Sequence, residues 1–149
     1  MAIRVDLQNA SKLDGLPSGT RFAHWVEAAL QSTEEGLEQT LRIVDEAESR
    51  DLNRRYRGKD NPTNVLAFPA EDEFLDYRCL GDLVLCAPVV LREAAEQHKP
   101  VEAHWAHLVV HGMLHLQGYD HQAEADSAAM EALEVEILDT LGYSNPYNE

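Results

Sequence analysis

Four histidines recur along residues 101–117, VEAHWAHLVVHGMLHLQ, a segment that predicts a helix ending beside Gly118. They are His104, His107, His111 and His115, at spacings of three, four and four. At ~100° of rotation per residue, these spacings place all four side chains within one narrow arc of the helix. A single histidine on an apolar helix is usually a hydrogen-bonded core residue, whereas a stripe of four indicates a chemical use for that face.

Reach along the helix decides which of these histidines can share one metal ion. His107 and His115 lie eight residues apart, which is ~12 Å along the axis at ~1.5 Å per residue, whereas zinc needs each ligand nitrogen at ~2.0–2.1 Å. That pair is therefore excluded. Neighbours three or four residues apart remain candidates, and these are His104 with His107, His107 with His111, and His111 with His115.

The last of these pairs is favoured because a third ligand is available to it. Gly118 can leave the helical conformation and turn the chain, so that His121 folds back over the face that carries His111 and His115. Three imidazoles then leave a fourth position open for water, the arrangement of a catalytic zinc site with one ion per chain. Asp120 has two open interpretations, as a group that orients an imidazole or relays a proton and as a turn residue. Supporting, packing or surface positions are expected for His24, His98, His104 and His107.

The spacing H-x-x-x-H-x-x-G-x-x-H equals that of the metzincin peptidases, in which a glutamate directly follows the first histidine and acts as general base. In this sequence Gly112 occupies that position. Because loss of a positioned acid or base typically costs ~10²–10⁴ in rate, ordinary peptide hydrolysis is disfavoured. Phosphodiester cleavage depends on such a base less, since a metal ion activates water and withdraws charge from a phosphoryl oxygen. It also requires a cation for the developing charge, and arginine has the best geometry for phosphate.

The charge distribution supplies such cations in one place. Twelve basic and 27 acidic side chains give a formal net charge of −15, which by itself argues against wrapping nucleic acid. Five of the twelve cations nevertheless lie within RDLNRRYRGK, and these are Arg50, Arg54, Arg55, Arg57 and Lys59. One interpretation is a solvated helix end, where cations complement the helix dipole. The other is a phosphate-binding cluster around Arg57.

Patterns of apolar residues predict a single domain over residues 1–149 with an α+β fold. The predicted order is strand, helix, strand, helix, strand, strand and three helices, which gives a small mixed four-stranded sheet covered by helices. Asp45 is expected to cap the helix that Gly58 ends. Residues 71–78 are expected to form an acidic loop and residues 81–86 a buried strand. No apolar run approaches the ~20 residues of a membrane helix, so a soluble, cytoplasmic protein without a membrane partner is expected.

At these residues the sequence resembles the bacterial YbeY metallo-endoribonucleases, which act in ribosomal RNA maturation. The resemblance covers nearly the whole chain and is carried by LNRRYRGKDNPTNVLAFP, LGDLVLC, EAHWAHLVVHGMLHLQGYDH and MEALEVEILDTLGY. It implies a zincin-like α+β fold with zinc on His111, His115 and His121, on a helix and the following turn. It also implies single-strand-specific RNA cleavage, action at the 3′ end of 16S rRNA and a part in ribosome quality control. The functionally important arginine of the family falls on Arg57.

The sequence therefore predicts a metal-dependent endoribonuclease in which the three histidines hold the metal and Arg57 holds a phosphate of the RNA. Nickel or another divalent ion is an alternative to zinc, because histidine sites accept several metals. Further contacts to single-stranded RNA, in 16S rRNA and its precursor, are expected from Arg54, Arg55 and Lys59. The acidic surface weakens RNA affinity, so recruitment by the small ribosomal subunit and its assembly factors is expected. Two alternatives stay open, a metallopeptidase with an unusual base and a noncatalytic ribosome assembly factor with structural zinc.

Overall fold

The structure of the chain is a computed structural model that describes residues 3–31, 36–69, 78–119 and 124–147. Within those ranges the elements follow one another in the predicted order. They are β1 (Ile3–Asn9), α1 (Gly19–Ala29), β2 (Leu37–Val44), α2 (Glu46–Arg57), β3 (Val65–Pro69), β4 (Arg78–Cys86), α3 (Ala87–Glu96), α4 (Val101–Leu116) and α5 (Glu124–Thr140). The strand predicted over residues 81–86 thus begins earlier, at Arg78, and the rest of the predicted acidic loop lies outside the described residues. No helix in the described part of the chain has the length and apolar composition needed to cross a membrane.

The strands form one mixed sheet in the order β1-β2-β4-β3, which confirms the predicted four-stranded sheet. β1 and β4 each pair with β2 in parallel. β3 pairs with β4 in antiparallel orientation, from Val65 opposite Leu85 to Pro69 opposite Gly81. β3 therefore lies at one edge of the sheet, where a strand can line an open cleft.

α4 is the central helix of the fold. It contacts α1, α3, α5 and the strands β3 and β4, and its residues Trp105, Val109 and Met113 are fully buried. The rings of Trp105 and Phe22 lie 5.5 Å apart in an edge-to-face contact. A helix that is apolar on nearly every side is stable only when it is surrounded. Burial is incomplete at three histidines of the stripe, His107, His111 and His115, which are half-buried.

α2 begins and ends where the sequence predicts. Asp45 occupies the N-cap position, but its side chain makes no capping hydrogen bond; instead its Oδ2 accepts from the Lys12 N–H at 3.1 Å. At the other end, Gly58 adopts the left-handed conformation with φ of 70°, and its N–H donates to the Arg54 carbonyl at 3.1 Å. This glycine fixes the last turn of α2, which carries Arg57.

α4 approaches the sheet closely at Gly112. A Cβ atom at this position would lie 2.6 Å from Leu83 Cδ2 of β4 and 3.4 Å from Val65 Cγ2 of β3. The first separation is well below the ~3.5–4.0 Å at which carbon atoms pack best. Packing against the sheet therefore accounts for glycine at the position where a metzincin carries glutamate.

Replacing Gly112 with Glu is expected to destabilise the fold strongly. The new side chain collides with the buried Leu83, and overpacking typically costs ~1–3 kcal/mol before the desolvation of a carboxylate is added. Urea unfolding of the metal-free protein measures the loss. Gly19→Glu is the matched control, because Gly19 is exposed at the start of α1 and a Cβ atom there would lie at an ordinary 3.8 Å from Leu7 Cδ2. Equal unfolding midpoints for the wild type and Gly112→Glu would contradict this account.

Candidate active site

The histidine face of α4 opens into a cleft of about 660 Å³. His107, His111 and His115 line it from α4, Arg57 lines it from the last turn of α2, and Tyr147 lines it from the segment after α5. The edge strand β3 supplies a further wall. This volume lies within the ~300–1,000 Å³ typical of ligand sites. The tertiary structure thus brings the predicted arginine and two of the three predicted metal ligands to one concave surface.

The turn after α4 begins as the sequence predicts. Gly118 has a φ of 100°, and the Tyr119 N–H donates back to the Leu114 carbonyl at 3.1 Å, which is the hydrogen bond of a Schellman motif. Asp120 and His121 lie outside the described residues. Among the residues that are described, no three His, Cys, Asp or Glu side chains are grouped so that they could hold a metal ion. The three-histidine metal site therefore stays a prediction.

A buried carboxylate connects α4, α5 and the segment that follows α5. Glu134 of α5 is fully buried, and its carboxylate is hydrogen-bonded to His111 Nδ1 and to the Tyr147 hydroxyl. Its Oε2 also lies 3.6 Å from His107 Nε2. Burial by itself raises the pKa of Glu134, but the nearby His107 imidazole and the hydrogen bonds from His111 and Tyr147 lower it to about 2. An ionised carboxylate only accepts hydrogen bonds, so His111 Nδ1 and the Tyr147 hydroxyl are the donors.

Two side chains beside this carboxylate are neutral at physiological pH. Burial lowers the pKa of His107, and the attraction of the nearby Glu134 carboxylate offsets this only in part. Burial also raises the pKa of the Tyr147 hydroxyl, and its hydrogen bond to Glu134 raises that pKa further. These groups therefore give the cleft an uncharged imidazole and an uncharged phenol beside one buried negative charge.

Neither Glu134 nor Tyr147 is among the residues that the sequence analysis singles out. A signal for Glu134 is present, because it lies four residues after Met130 and four before Leu138, both of which are buried. It thus occupies the apolar stripe of α5, where a carboxylate requires a polar partner. Tyr147 follows the last helix and belongs to no periodic pattern, so only the tertiary structure could reveal its place.

His104 is not among the residues that line the cleft, and it belongs to a polar cluster that reaches the cleft through Asn64. It is buried, and its Nε2 lies 2.9 Å from Glu93 Oε1. The same carboxylate oxygen accepts from Asn64 Nδ2 at 3.0 Å. Burial by itself raises the pKa of Glu93, but the hydrogen bonds from His104 and Asn64 lower it. His104 therefore takes the packing position expected of it, and the two histidines His24 and His98 are exposed.

The basic residues at the end of α2 differ in what they contact. Arg54 Nη2 lies 2.9 Å from Asp51 Oδ1, and Arg55 Nε lies 3.3 Å from Asp51 Oδ2. Lys59 is exposed beyond the helix end. Arg57 is the one arginine or lysine among the described residues that line the cleft. It is therefore the cation of the cluster that the fold directs towards the histidines.

A family comparison bears on this arrangement. The family model described as Endoribonuclease YbeY matches residues 6–142 of the chain. The chain belongs to the YbeY endoribonuclease family. Members of this family are hydrolases that act on RNA in rRNA processing, and the family is generally metal-dependent. The resemblance inferred from the sequence and the predicted endoribonuclease activity are thereby confirmed.

The fold of this YbeY-family chain is similar to that of TM1509 from Thermotoga maritima, known from a solution structure. The two share 22% sequence identity over 97% of this chain and 100% of TM1509, with a TM-score of 0.51. Identity at this level supports the fold alone. The roles of individual residues rest on the geometry of the cleft.

Proposed function

We propose that this YbeY-family chain is a zinc-dependent, single-strand-specific endoribonuclease that matures the 3′ end of 16S rRNA and takes part in ribosome quality control in the cytoplasm. The observation that carries the proposal is the cleft that Arg57 shares with His111 and His115. Family membership supplies RNA as the substrate class and rRNA processing as the setting. A phosphate-binding cation beside two imidazoles is the combination that metal-assisted phosphodiester cleavage needs.

His111 and His115 are the described residues that would hold the zinc ion, with His121 as the third ligand. The donor set fits this use, because Glu134 accepts a hydrogen bond from His111 Nδ1, which leaves the lone pair of this imidazole on Nε2. A carboxylate on the second nitrogen of a ligating histidine is the usual arrangement around zinc. When bound, the metal would supply Lewis acidity that polarises water and a phosphoryl oxygen.

Arg57 is the proposed ligand of the scissile phosphate. Its planar guanidinium can donate two parallel hydrogen bonds to phosphate oxygens and offset the charge that develops in the transition state. Arg54, Arg55 and Lys59 would meet the flanking phosphates. The first two already contact Asp51, so we assign them a weaker contribution than Arg57.

The shape and charge of the molecule favour unpaired RNA that is presented by a partner. A single strand can bend into a concave site and unstack its bases, whereas an A-form duplex keeps its bases paired. The net charge of −15 repels the RNA backbone outside the cleft, so the affinity of the isolated protein is expected to be weak and sensitive to salt. We therefore propose that the small ribosomal subunit and its assembly factors present 16S rRNA and its precursor to the cleft.

The variant His115→Ala tests whether the metal is catalytic or structural. We expect the loss of zinc binding and of single-stranded RNA cleavage, with an unfolding midpoint of the metal-free protein close to that of the wild type. Zinc content, cleavage of a labelled oligonucleotide and urea unfolding are measured together. His24→Ala is the control, since His24 is exposed on α1. A domain that unfolds in His115→Ala, together with a wild type that leaves RNA intact, would favour the noncatalytic assembly factor.

The variant Arg57→Lys keeps the positive charge but removes the planar fork of donors. We expect kcat/KM for single-stranded RNA to fall about 10- to 100-fold, the range that follows from losing a hydrogen bond to a charged group. Zinc affinity should stay unchanged, because Arg57 is not a metal ligand. Arg92→Lys is the control, since Arg92 pairs with Glu46 on another surface. Turnover at the wild-type rate would remove Arg57 from the mechanism.

The variant Glu134→Gln tests the proposed support of His111. Loss of the carboxylate is expected to weaken zinc binding about 10- to 100-fold, because the outer partner of a ligating histidine fixes its tautomer and its orientation. Competition with a chromogenic chelator measures the dissociation constant. Glu136→Gln is the matched control, since Glu136 is exposed on the same helix. Equal zinc affinities in the two variants would show that Glu134 has only a packing role.

A further inference from the structure

An aromatic pair stands at the rim of the cleft. Tyr56 precedes Arg57 in the last turn of α2, and 64% of its surface is exposed. Its ring lies 5.1 Å from that of Phe68 in β3, with an angle of 64° between the ring planes. Both rings line the cleft that the histidines share. The pair therefore belongs to the same concave surface as the proposed phosphate ligand.

Tyr56 is exposed at the place where a substrate would lie. In the described part of the chain, the large hydrophobic residues that are exposed are Tyr56, Val101 and Tyr147. The two tyrosines among them line the cleft. Single apolar residues scattered over a surface need no explanation, but exposed rings gathered around one cavity indicate a ligand with an apolar surface of its own.

The geometry of the pair leaves ring faces available. In an edge-to-face contact the edge of one ring covers at most one face of the other, so three of the four faces are not covered by the partner ring. Phe68 is half-buried and packs on a core cluster formed by Val44, Leu66, Val84, Cys86 and Val89. The fixed Phe68 ring supports Tyr56, which lowers the entropy lost when a flat ligand stacks on it.

The charges of the protein offer little attraction for RNA, so a contact that does not depend on charge is expected to contribute. The protein carries a net charge of −15, and Arg57 is the one arginine or lysine among the described residues that line the cleft. Attraction for the RNA backbone is therefore limited. Stacking on an aromatic ring does not depend on net charge and contributes ~1–3 kcal/mol per base.

We propose that Tyr56, supported by Phe68, is a stacking site for an unpaired nucleobase. The inference rests on the proposed function, since the base belongs to a nucleotide adjacent to the phosphate that Arg57 binds. Because Tyr56 and Arg57 both line the cleft from the last turn of α2, they can contact the base and the phosphate of neighbouring nucleotides. The site accepts any base, because every base has a π-face. It also selects against duplex RNA, in which those faces are already stacked.

Equilibrium binding to metal-free protein tests this inference without relying on cleavage. Anisotropy of a labelled single-stranded oligoribonucleotide, in chelator and at low salt, gives the dissociation constant. Tyr56→Ala is expected to raise it about 5- to 150-fold, whereas Tyr56→Phe should stay close to the wild type. Tyr56→Leu, which keeps apolar bulk without a π-face, should resemble Tyr56→Ala. Because the contact is not ionic, these ratios should hold as salt is raised, whereas Arg57→Gln should reduce the salt dependence of binding.

A second series moves one abasic nucleotide along the oligonucleotide. At one position the abasic nucleotide should weaken binding to the wild type by the same factor by which Tyr56→Ala weakens binding of the intact oligonucleotide. At that position it should cause no further loss of binding to the Tyr56→Ala variant. Additive losses at every position, equal affinities of the wild type and Tyr56→Ala, or no RNA binding by the wild type would each overturn the stacking site. These Tyr56 effects in a protein that fails to cleave RNA when loaded with zinc would support the stacking site and refute the proposed nuclease.

Discussion

The burial of α4 on nearly every side is the constraint on which the rest of the molecule depends. In the described part of the chain, three helices and two strands contact it, and Gly112 lets it approach Leu83 more closely than a Cβ atom would allow without a shift of Leu83. A helix held in this way cannot rotate or slide without opening the core. His107, His111 and His115 are consequently fixed in orientation and face the cleft. Gly112, which permits this packing, follows the first predicted metal ligand, where a metzincin carries its general base. Under the proposed function, the contact that builds the fold would therefore also disfavour peptide hydrolysis.

A second constraint is the carboxylate of Glu134 inside that packed region. A buried charge is expensive unless every lone pair is used, and Glu134 meets His111 and Tyr147 by hydrogen bonds with His107 close by. These contacts join α4, α5 and the segment after α5 into one network. Under the proposed function, the same network orients an imidazole for the metal. The same interactions would then stabilise the core and orient the side chains of the site.

The charge of the whole protein and the charge of its cleft have opposite effects on an RNA backbone. The molecule as a whole is acidic, and two arginines of α2 are paired with Asp51. Gly58 ends α2 directly after Arg57. Arg57 is the arginine of this helix that lines the cleft in the described structure. Such an arrangement favours one phosphate at a defined place over general binding of polyanions. Under the proposed function and with a stacking ring beside Arg57, the cleft would recognise an RNA strand by its local chemistry, and a partner would deliver that strand.

Local patterns in the sequence determined the succession of elements, the limits of α2 and the turn at Gly118, because these depend on periodicity and on glycine conformation within a few residues. The same patterns could not determine contacts between distant segments. Asp45 stands at the predicted N-cap, yet its carboxylate bonds Lys12 N–H across the fold. Glu134, Tyr147 and the pairing of Tyr56 with Phe68 likewise become part of the cleft only when α2, β3, α4 and α5 pack together. Sequence alone thus supplied the histidines and Arg57 as candidates, and tertiary packing decided which of the described ones share a cavity, since proximity in space follows from burial of the core rather than from spacing along the chain.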